Sequence, residues 1–212
     1  MNITPTDFAS LLCSRLCHDL LSPVGALNNG LELLADEHDP EMRERCLDLL
    51  AESARASANK LKFFRLAFGA AGGFGEQVVA HEAGQAITGM FADKKRVEIG
   101  WMVDEPTLPK GAVKVLMNLA LIAGDALVAG GRLDLGAESV DGHVEIVVRA
   151  EGKRIILDEE LRAALTDMSA QVTPRSAAAH LARALVAENG GSLQVSRPEA
   201  PVLMFGAIFN PI

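Results

Sequence analysis

Cysteine is scarce: the 212 residues include three, Cys13, Cys17 and Cys46, an odd number with no paired spacing. That excludes a disulfide framework and a zinc ribbon, and a reducing, cytoplasmic setting is the expectation. Cations are in deficit. Lys and Arg number 20 against 28 Asp and Glu, a formal net charge of −8. A duplex-binding groove needs clustered cations, so no nucleic-acid partner is expected. A long uncharged apolar run is missing too. The most apolar stretch, Ala112 to Gly131, carries Lys114, Asn118 and Asp125, which argues against a membrane span and a membrane partner. The opening MNITPTDFAS lacks a basic segment followed by an apolar core, so no secretory signal is expected.

What is present suffices for a soluble fold. Apolar residues make up 49% and charged residues 23%, ordinary values for a chain able to bury a core without staples. Two halves differ in pattern. As far as Phe68 the reading is helical throughout; then Gly69 to Gly75 (GAAGGFG) places four glycines in seven residues, a linker signal. Residues 1–70 are therefore predicted as one domain and residues 76–212 as a second, of mixed helix and strand.

The first helix is predicted from about Thr6 or Asp7, with Asp7 as cap, to about Ala35. Ala9, Leu12, Leu16, Leu20, Leu27, Leu31 and Leu34 form its apolar stripe. The second starts with Asp39 as cap, Pro40 at the first helical position and Glu41 in the first turn. Within it Leu47, Leu50, Ala54, Ser57, Leu61, Phe64 and Phe68 alternate in steps of three and four, the seam of left-handed helix packing. The short DEHD connection makes the pair an antiparallel hairpin. Two helices cannot cover both stripes. A second copy of the chain, giving a two-fold four-helix bundle, is the simplest remedy; packing on the C-terminal half is the alternative.

In the second half, Val97 to Val103 alternates as a strand, and Lys110 to Ala129 reads as a long apolar helix. Leu133–Val140 and Val144–Val148 flank an Asp141-Gly142 turn, a hairpin signal. Asp158 is expected to cap a short helix, and another helix is predicted from about Pro174 to Glu188, ending at Asn189-Gly190-Gly191. Ser192–Val195 and Val202–Phe209 close the chain as a hairpin. The fold class is α+β, with helices on one face of a mostly antiparallel sheet.

Among five histidines, His38, His81, His143 and His180 lack partners at ligand spacing and read as structural or solvated. His18 stands about 200° from Leu16 around the helix, away from the stripe. Its face carries Asp7, Ser14, Leu21, Ser22, Gly25 and Glu32. Short side chains surround it where a helix surface usually carries long charged ones. The ring is thus presented to something large, such as another protein's active site. Pro23 lacks an amide and crowds the carbonyl of Asp19, so a bend is expected one turn after His18. Cys13 and Cys17 point to the apolar side and read as small core residues, not as a metal site.

The string His18-Asp19-Leu20-Leu21-Ser22-Pro23-Val24 resembles the H-box of histidine-kinase dimerisation and phosphotransfer domains, H-[E/D]-L-x-[S/T]-P-L. The second half resembles the ATP-binding, Bergerat-like domain of the same kinases with its chemistry erased. Against L-x-N-L-L-x-N-A, the stretch Leu116 to Ala123 has Ile122 in place of the second asparagine. D-x-G-x-G aligns with Ala150-Glu151-Gly152-Lys153-Arg154, and the glycine loop before the last helix with Pro174 to Ala179, which holds no glycine. Backbone approach to phosphates needs those glycines. The whole chain is similar to the dimeric histidine phosphotransferases of the alphaproteobacterial cell-cycle phosphorelay.

The resemblance implies a homodimer in which His18 is the phosphoacceptor, Asp19 orients or polarises its ring, and Ser22 lies near the partner's reactive pocket. Ser14, Arg15, Leu21, Ser22 and Gly25 are the expected receiver-docking residues. It implies phosphate arriving from the receiver domain of a hybrid histidine kinase such as CckA, and leaving to response regulators such as CtrA and CpdR. A neutral imidazole is a competent nucleophile near pH 7. Mg²⁺ comes with the receiver, so this chain is expected to bind no cofactor and no metal. A true ATP-dependent kinase, and a non-catalytic scaffold or antikinase, are the competing readings.

Overall fold

The computed structural model describes residues 3–69, 75–93, 96–197 and 201–210. Most of the glycine-rich linker signal, residues 70–74, lies outside them. The helical hairpin forms as α1 (Pro5–Asp36) and α2 (Pro40–Ala67). Asp39 caps α2, accepting from the Met42 amide. On α1 the cap is Thr4 rather than Asp7: the Thr4 hydroxyl accepts from the Asp7 amide at 3.1 Å and donates to the Asp7 carboxylate at 2.7 Å. Pro5 occupies the first turn, where its missing amide costs nothing.

The remainder is β1 (Gln77–Val79), α3 (Ala80–Phe91), β2 (Val97–Met102), β3 (Thr107–Pro109), α4 (Lys110–Ala126), β4 (Gly131–Val140), β5 (His143–Glu151), α5 (Glu159–Thr166), α6 (Ala177–Glu188), β6 (Ser192–Val195) and β7 (Val202–Phe209). Five strands form one sheet in the order β2-β4-β5-β7-β6, antiparallel except for β2 beside β4. β1 and β3 pair separately. The β4–β5 hairpin turns on Asp141 and Gly142 with φ of 48° and 85°, the two left-handed residues that a tight hairpin requires. α6 starts at Ala177, after a turn around Thr173 and Ser176 held by the Ser176 hydroxyl accepting from the Thr173 amide.

α4 is predominantly apolar and is the core helix of the sheet half, buried over most of its length from Ala112 to Ala126 with Lys114 and Asp125 outside the buried set. It packs on the sheet, α6 and the end of α2. Phe63, Phe64, Leu66 and Ala67 of α2 belong to the same core. Asn118 of α4 ties the join, donating to the Ala67 carbonyl at 3.1 Å. The hairpin thus docks on the sheet half by its C-terminal end. Phe64 and Phe68, which end the seam read on α2, pack into or against this core, because the end of α2 lies beside α4. Of the rest of the expected seam, Leu50 and Ser57 are half-buried, Leu47 and Leu61 are 53% and 51% exposed, and Ala54 between them is exposed as well.

Cys13 and Cys17 are exposed, whereas Cys46 is buried. The apolar side to which the first two point is not covered within one chain: Val24 and Leu31, at seven-residue steps from Cys17, are exposed too. Among the described residues no helix is long and apolar enough to cross a membrane.

Candidate functional site

His18 stands in mid-α1 with its side chain 83% exposed. Around it Ser14, Leu21 and Ser22 are exposed, Leu21 to 70%, and Gly25 is half-buried. The expected platform of short side chains, with one apolar residue at its edge, is therefore formed. Asp19, adjacent in sequence and turned 100° away, still reaches the ring: its Oδ1 lies 3.2 Å from His18 Nδ1. A carboxylate only accepts, so this contact suits a ring that carries its proton on Nδ1, the tautomer whose Nε2 bears the lone pair.

Arg15, expected among the docking residues, is not displayed. Its side chain is 15% exposed. Nε donates to Asp19 Oδ2 at 2.8 Å, Nη2 to Asp125 Oδ2 at 3.1 Å, and Nη1 to the Arg175 carbonyl at 3.4 Å. Burial alone lowers the pKa of this guanidinium, but the bonds and charges of Asp19 and Asp125 outweigh it, and the net shift is upward. Pro23 is buried, and α1 continues through it without a break. The Asp19 carbonyl, which has no amide to meet at position 23, accepts from Lys60 Nζ of α2 at 2.9 Å.

Between the His18 turn and the sheet half lies a cleft of about 690 Å³. Ser14, Arg15, His18 and Asp19 line one wall; Asp125, Asp158 and Arg175 are on the other. Its charges are largely paired: Arg15 with Asp125 and Arg175 with Asp158 at 3.0 Å. At two of the three places where the kinase motifs align, side chains pack inward, whereas at the Ala150–Arg154 stretch Lys153 and Arg154 are exposed. Ile122 is buried. Ala177, Ala178 and Ala179 at the start of α6 are buried. Asn118 is turned to backbone carbonyls, and its Oδ1 has no hydrogen-bond partner among the described residues.

The other histidines behave as read. His38 lies in the α1–α2 loop and His143 faces Glu145 across 3.3 Å. His81 meets Gln85, and His180 packs against Phe8 and Arg183. Among the described residues no group of three or more His, Cys, Asp and Glu is arranged to hold a metal ion. Sequence reasoning missed Asp125 and Lys60. Asp125 stood out only as a charge in an apolar helix, and Lys60 only through the carbonyl that Pro23 frees.

A helical hairpin joined to an α/β domain is a fold found among histidine kinase domains. The histidine kinase domain of a blue-light activated kinase from Erythrobacter litoralis EL346 shares the fold at 12% identity, with a TM-score of 0.50 over 88% of this chain and 95% of that one. A family model described as "Histidine phosphotransferase C-terminal domain" matches residues 80–201. The chain is 39% identical over 155 residues to the protein phosphotransferase ChpT of Brucella abortus (strain 2308), covering 73% of this chain and 72% of that protein. A structure described as a bacterial phosphotransferase superposes with a TM-score of 0.85 at 31% identity, over 98% of each chain. The chain belongs to the histidine phosphotransferase family, and its activity is phosphoryl transfer.

Proposed function

We propose that His18 is the phosphoacceptor, and that it relays a phosphoryl group between receiver domains without ATP bound to this chain. The observation that carries this is the exposed ring, held at Nδ1 by Asp19 on a platform of short side chains. Nε2 attacks the phosphorus of a receiver's aspartyl phosphate. The N–P bond forms as the P–O bond breaks, and the electron pair returns to the receiver's carboxylate. Asp19 offsets the positive charge that the ring gains. Attack by a second receiver's aspartate reverses the step. Such transfer rests on alignment and charge stabilisation more than on covalent help. Charge on the transferring group is offset by Mg²⁺ carried by the receiver.

The donor is the receiver domain of a hybrid histidine kinase of the CckA type, and the acceptors are response regulators of the CtrA and CpdR type. Supporting a role without ATP are the buried Ile122 in the place of an asparagine, the alanine-filled first turn of α6, and the carboxylates of Asp125 and Asp158 in the cleft beside His18. Supporting a homodimer are the exposed Leu47 and Leu61 on α2 and Val24 and Leu31 on α1, which a second hairpin would cover.

The test is transfer from a labelled phospho-receiver. Label is expected on the wild type and not on His18→Ala, and binding without label in both would favour a scaffold. Incubation with γ-labelled ATP and Mg²⁺ in the absence of any kinase is expected to leave the chain unlabelled; self-labelling would overturn the reading.

A further inference from the structure

We infer that Arg15 is a positioning residue for transfer, a latch by which the sheet half of the molecule sets the orientation of the phosphoacceptor ring through Asp19. The inference rests on His18 as the acceptor.

Asp19 divides its carboxylate between two partners: Oδ1 faces His18 Nδ1 and Oδ2 accepts from Arg15 Nε. The exposed ring has no other hydrogen-bond partner within the described residues that would fix its tautomer or rotation. The ring's order therefore depends on how firmly Asp19 is held. A basic residue one turn before an acidic one is the weaker order for a helix pair, since the helix dipole opposes it. Local helix energetics do not explain the Arg15–Asp19 contact. The sheet half does: Asp125, at the end of α4, and the Arg175 carbonyl, before α6, take the two remaining guanidinium nitrogens. The planar guanidinium offers its donors in a fixed fork, so anchoring two nitrogens on the sheet half aims the third at Asp19. With the two side chains 15% and 14% exposed, the Arg15–Asp19 pair is shielded from the screening that weakens surface pairs, while the anchoring contact to Asp125, whose side chain is 38% exposed, is more open to solvent.

Lysine in this place could meet one acceptor strongly but lacks the planar fork. Position 15 is thus expected to need arginine for a reason distinct from receiver binding. A docking arginine would change the receiver concentration needed for half-maximal rate, whereas a positioning arginine changes the rate at saturation.

Arg15→Gln, Arg15→Lys and Asp125→Asn are compared with the wild type in transfer from a phospho-receiver, with circular dichroism as the check on folding. At saturating receiver, Arg15→Gln is expected to slow phosphoryl uptake roughly tenfold, a fraction of what a directly acting acid or base supplies. The half-saturating concentration should change less than twofold. Arg15→Lys should recover part of the rate, and Asp125→Asn should slow it in the same direction. Nitrogen-15 spectra of the His18 ring provide a readout independent of transfer: the wild type should be mainly the Nδ1–H tautomer, and Arg15→Gln a mixture. An unchanged saturating rate and unchanged ring spectrum in Arg15→Gln would overturn the latch, even with His18 confirmed as acceptor. A change in the half-saturating concentration alone would reassign Arg15 to docking. Label persisting on His18→Ala would instead remove the acceptor reading.

Discussion

Lys60 and Pro23 complement each other across the hairpin: proline withholds an amide from the Asp19 carbonyl, and the lysine ammonium supplies the missing donor at 2.9 Å. An unpaired, partly buried carbonyl costs about 1–3 kcal/mol, and bonds from charged donors lie at the upper end of hydrogen-bond contributions. Lys60→Met is therefore expected to lower unfolding stability by about 1–2 kcal/mol. Pro23→Ala restores a local amide, so in that background the same lysine substitution should cost less, with a coupling of roughly 1 kcal/mol. Chemical denaturation of the four proteins in the cycle checks this. Strict additivity would mean that Lys60 acts by another route.

Leu47, Ala54 and Leu61 stand at seven-residue intervals on α2 and remain exposed in one chain. Leaving such leucines in water forgoes about 1.5–3 kcal/mol each relative to full burial. Leu47→Glu combined with Leu61→Glu should convert a dimer into monomers without disturbing the sheet half, whose core does not use these residues. Light scattering reads the mass directly. A wild-type chain that is monomeric at tens of micromolar, or a double variant that stays dimeric, would remove the seam.

The sheet and its hairpins were legible because β5 and β7 alternate in burial, and Asp141-Gly142 marks the tight turn. α3 was not. Its buried face is Ala80, Ala83, Gly84, Ala86, Ile87 and Phe91, and only the last two are large enough to mark a hydrophobic period. Gly84 is small because Trp101 lies against it: an added Cβ would meet the indole at 3.0 Å, a constraint that only the fold creates. β1 and β3 have three residues each, too few to show a period. At the site, His18 was visible through its short neighbours on the same helix. The ion-pair network of Arg15 was not visible because its partners Asp125 and Arg175 lie 110 and 160 positions away, and nothing in a one-turn window reports them.

His180 gives the fold a pH dependence. Burial first, then the charge of Arg183, holds its pKa below the usual histidine value. Arg183 Nη2 approaches His180 Nδ1 at 3.0 Å, so the ring nitrogen accepts there, and protonating it would set two donors face to face. As pH falls through about 6.5, the unfolded chain takes up this proton while the folded chain resists it. Stability is therefore fully present above that pH and declines below it. His180→Gln keeps an acceptor for Arg183 without titrating. Between pH 7.5 and 5.5 its melting temperature should fall less than that of the wild type. Asp167, whose pKa is held below the usual carboxylate value by bonds from Ser169, titrates at lower pH and does not enter this window. Parallel losses in the two proteins would exclude His180 as the source.

Gly25 and Gly30 share α1 but have opposite reasons to be glycine. A Cβ at Gly30 would meet Leu50 Cδ2 at 2.9 Å, whereas one at Gly25 meets nothing within 4 Å. Glycine inside a helix costs about 1 kcal/mol against alanine. At Gly30, close packing of the two helices offsets that cost; at Gly25, no contact within the chain does. Gly25 lies seven residues beyond His18, on nearly the same face and roughly 10 Å along the axis. The open position there suits a partner domain seated over the histidine. Gly25→Ala should thus leave stability unchanged or raise it by up to about 1 kcal/mol, and Gly30→Ala should lower it. Gly25→Arg should fold as well as the wild type yet raise the half-saturating concentration of phospho-receiver at least tenfold, since a long side chain would have to be cleared from the approach. If Gly25→Arg accepts phosphate at wild-type receiver concentrations, the docking face lies elsewhere around His18, on the side of Ser14 and the cleft.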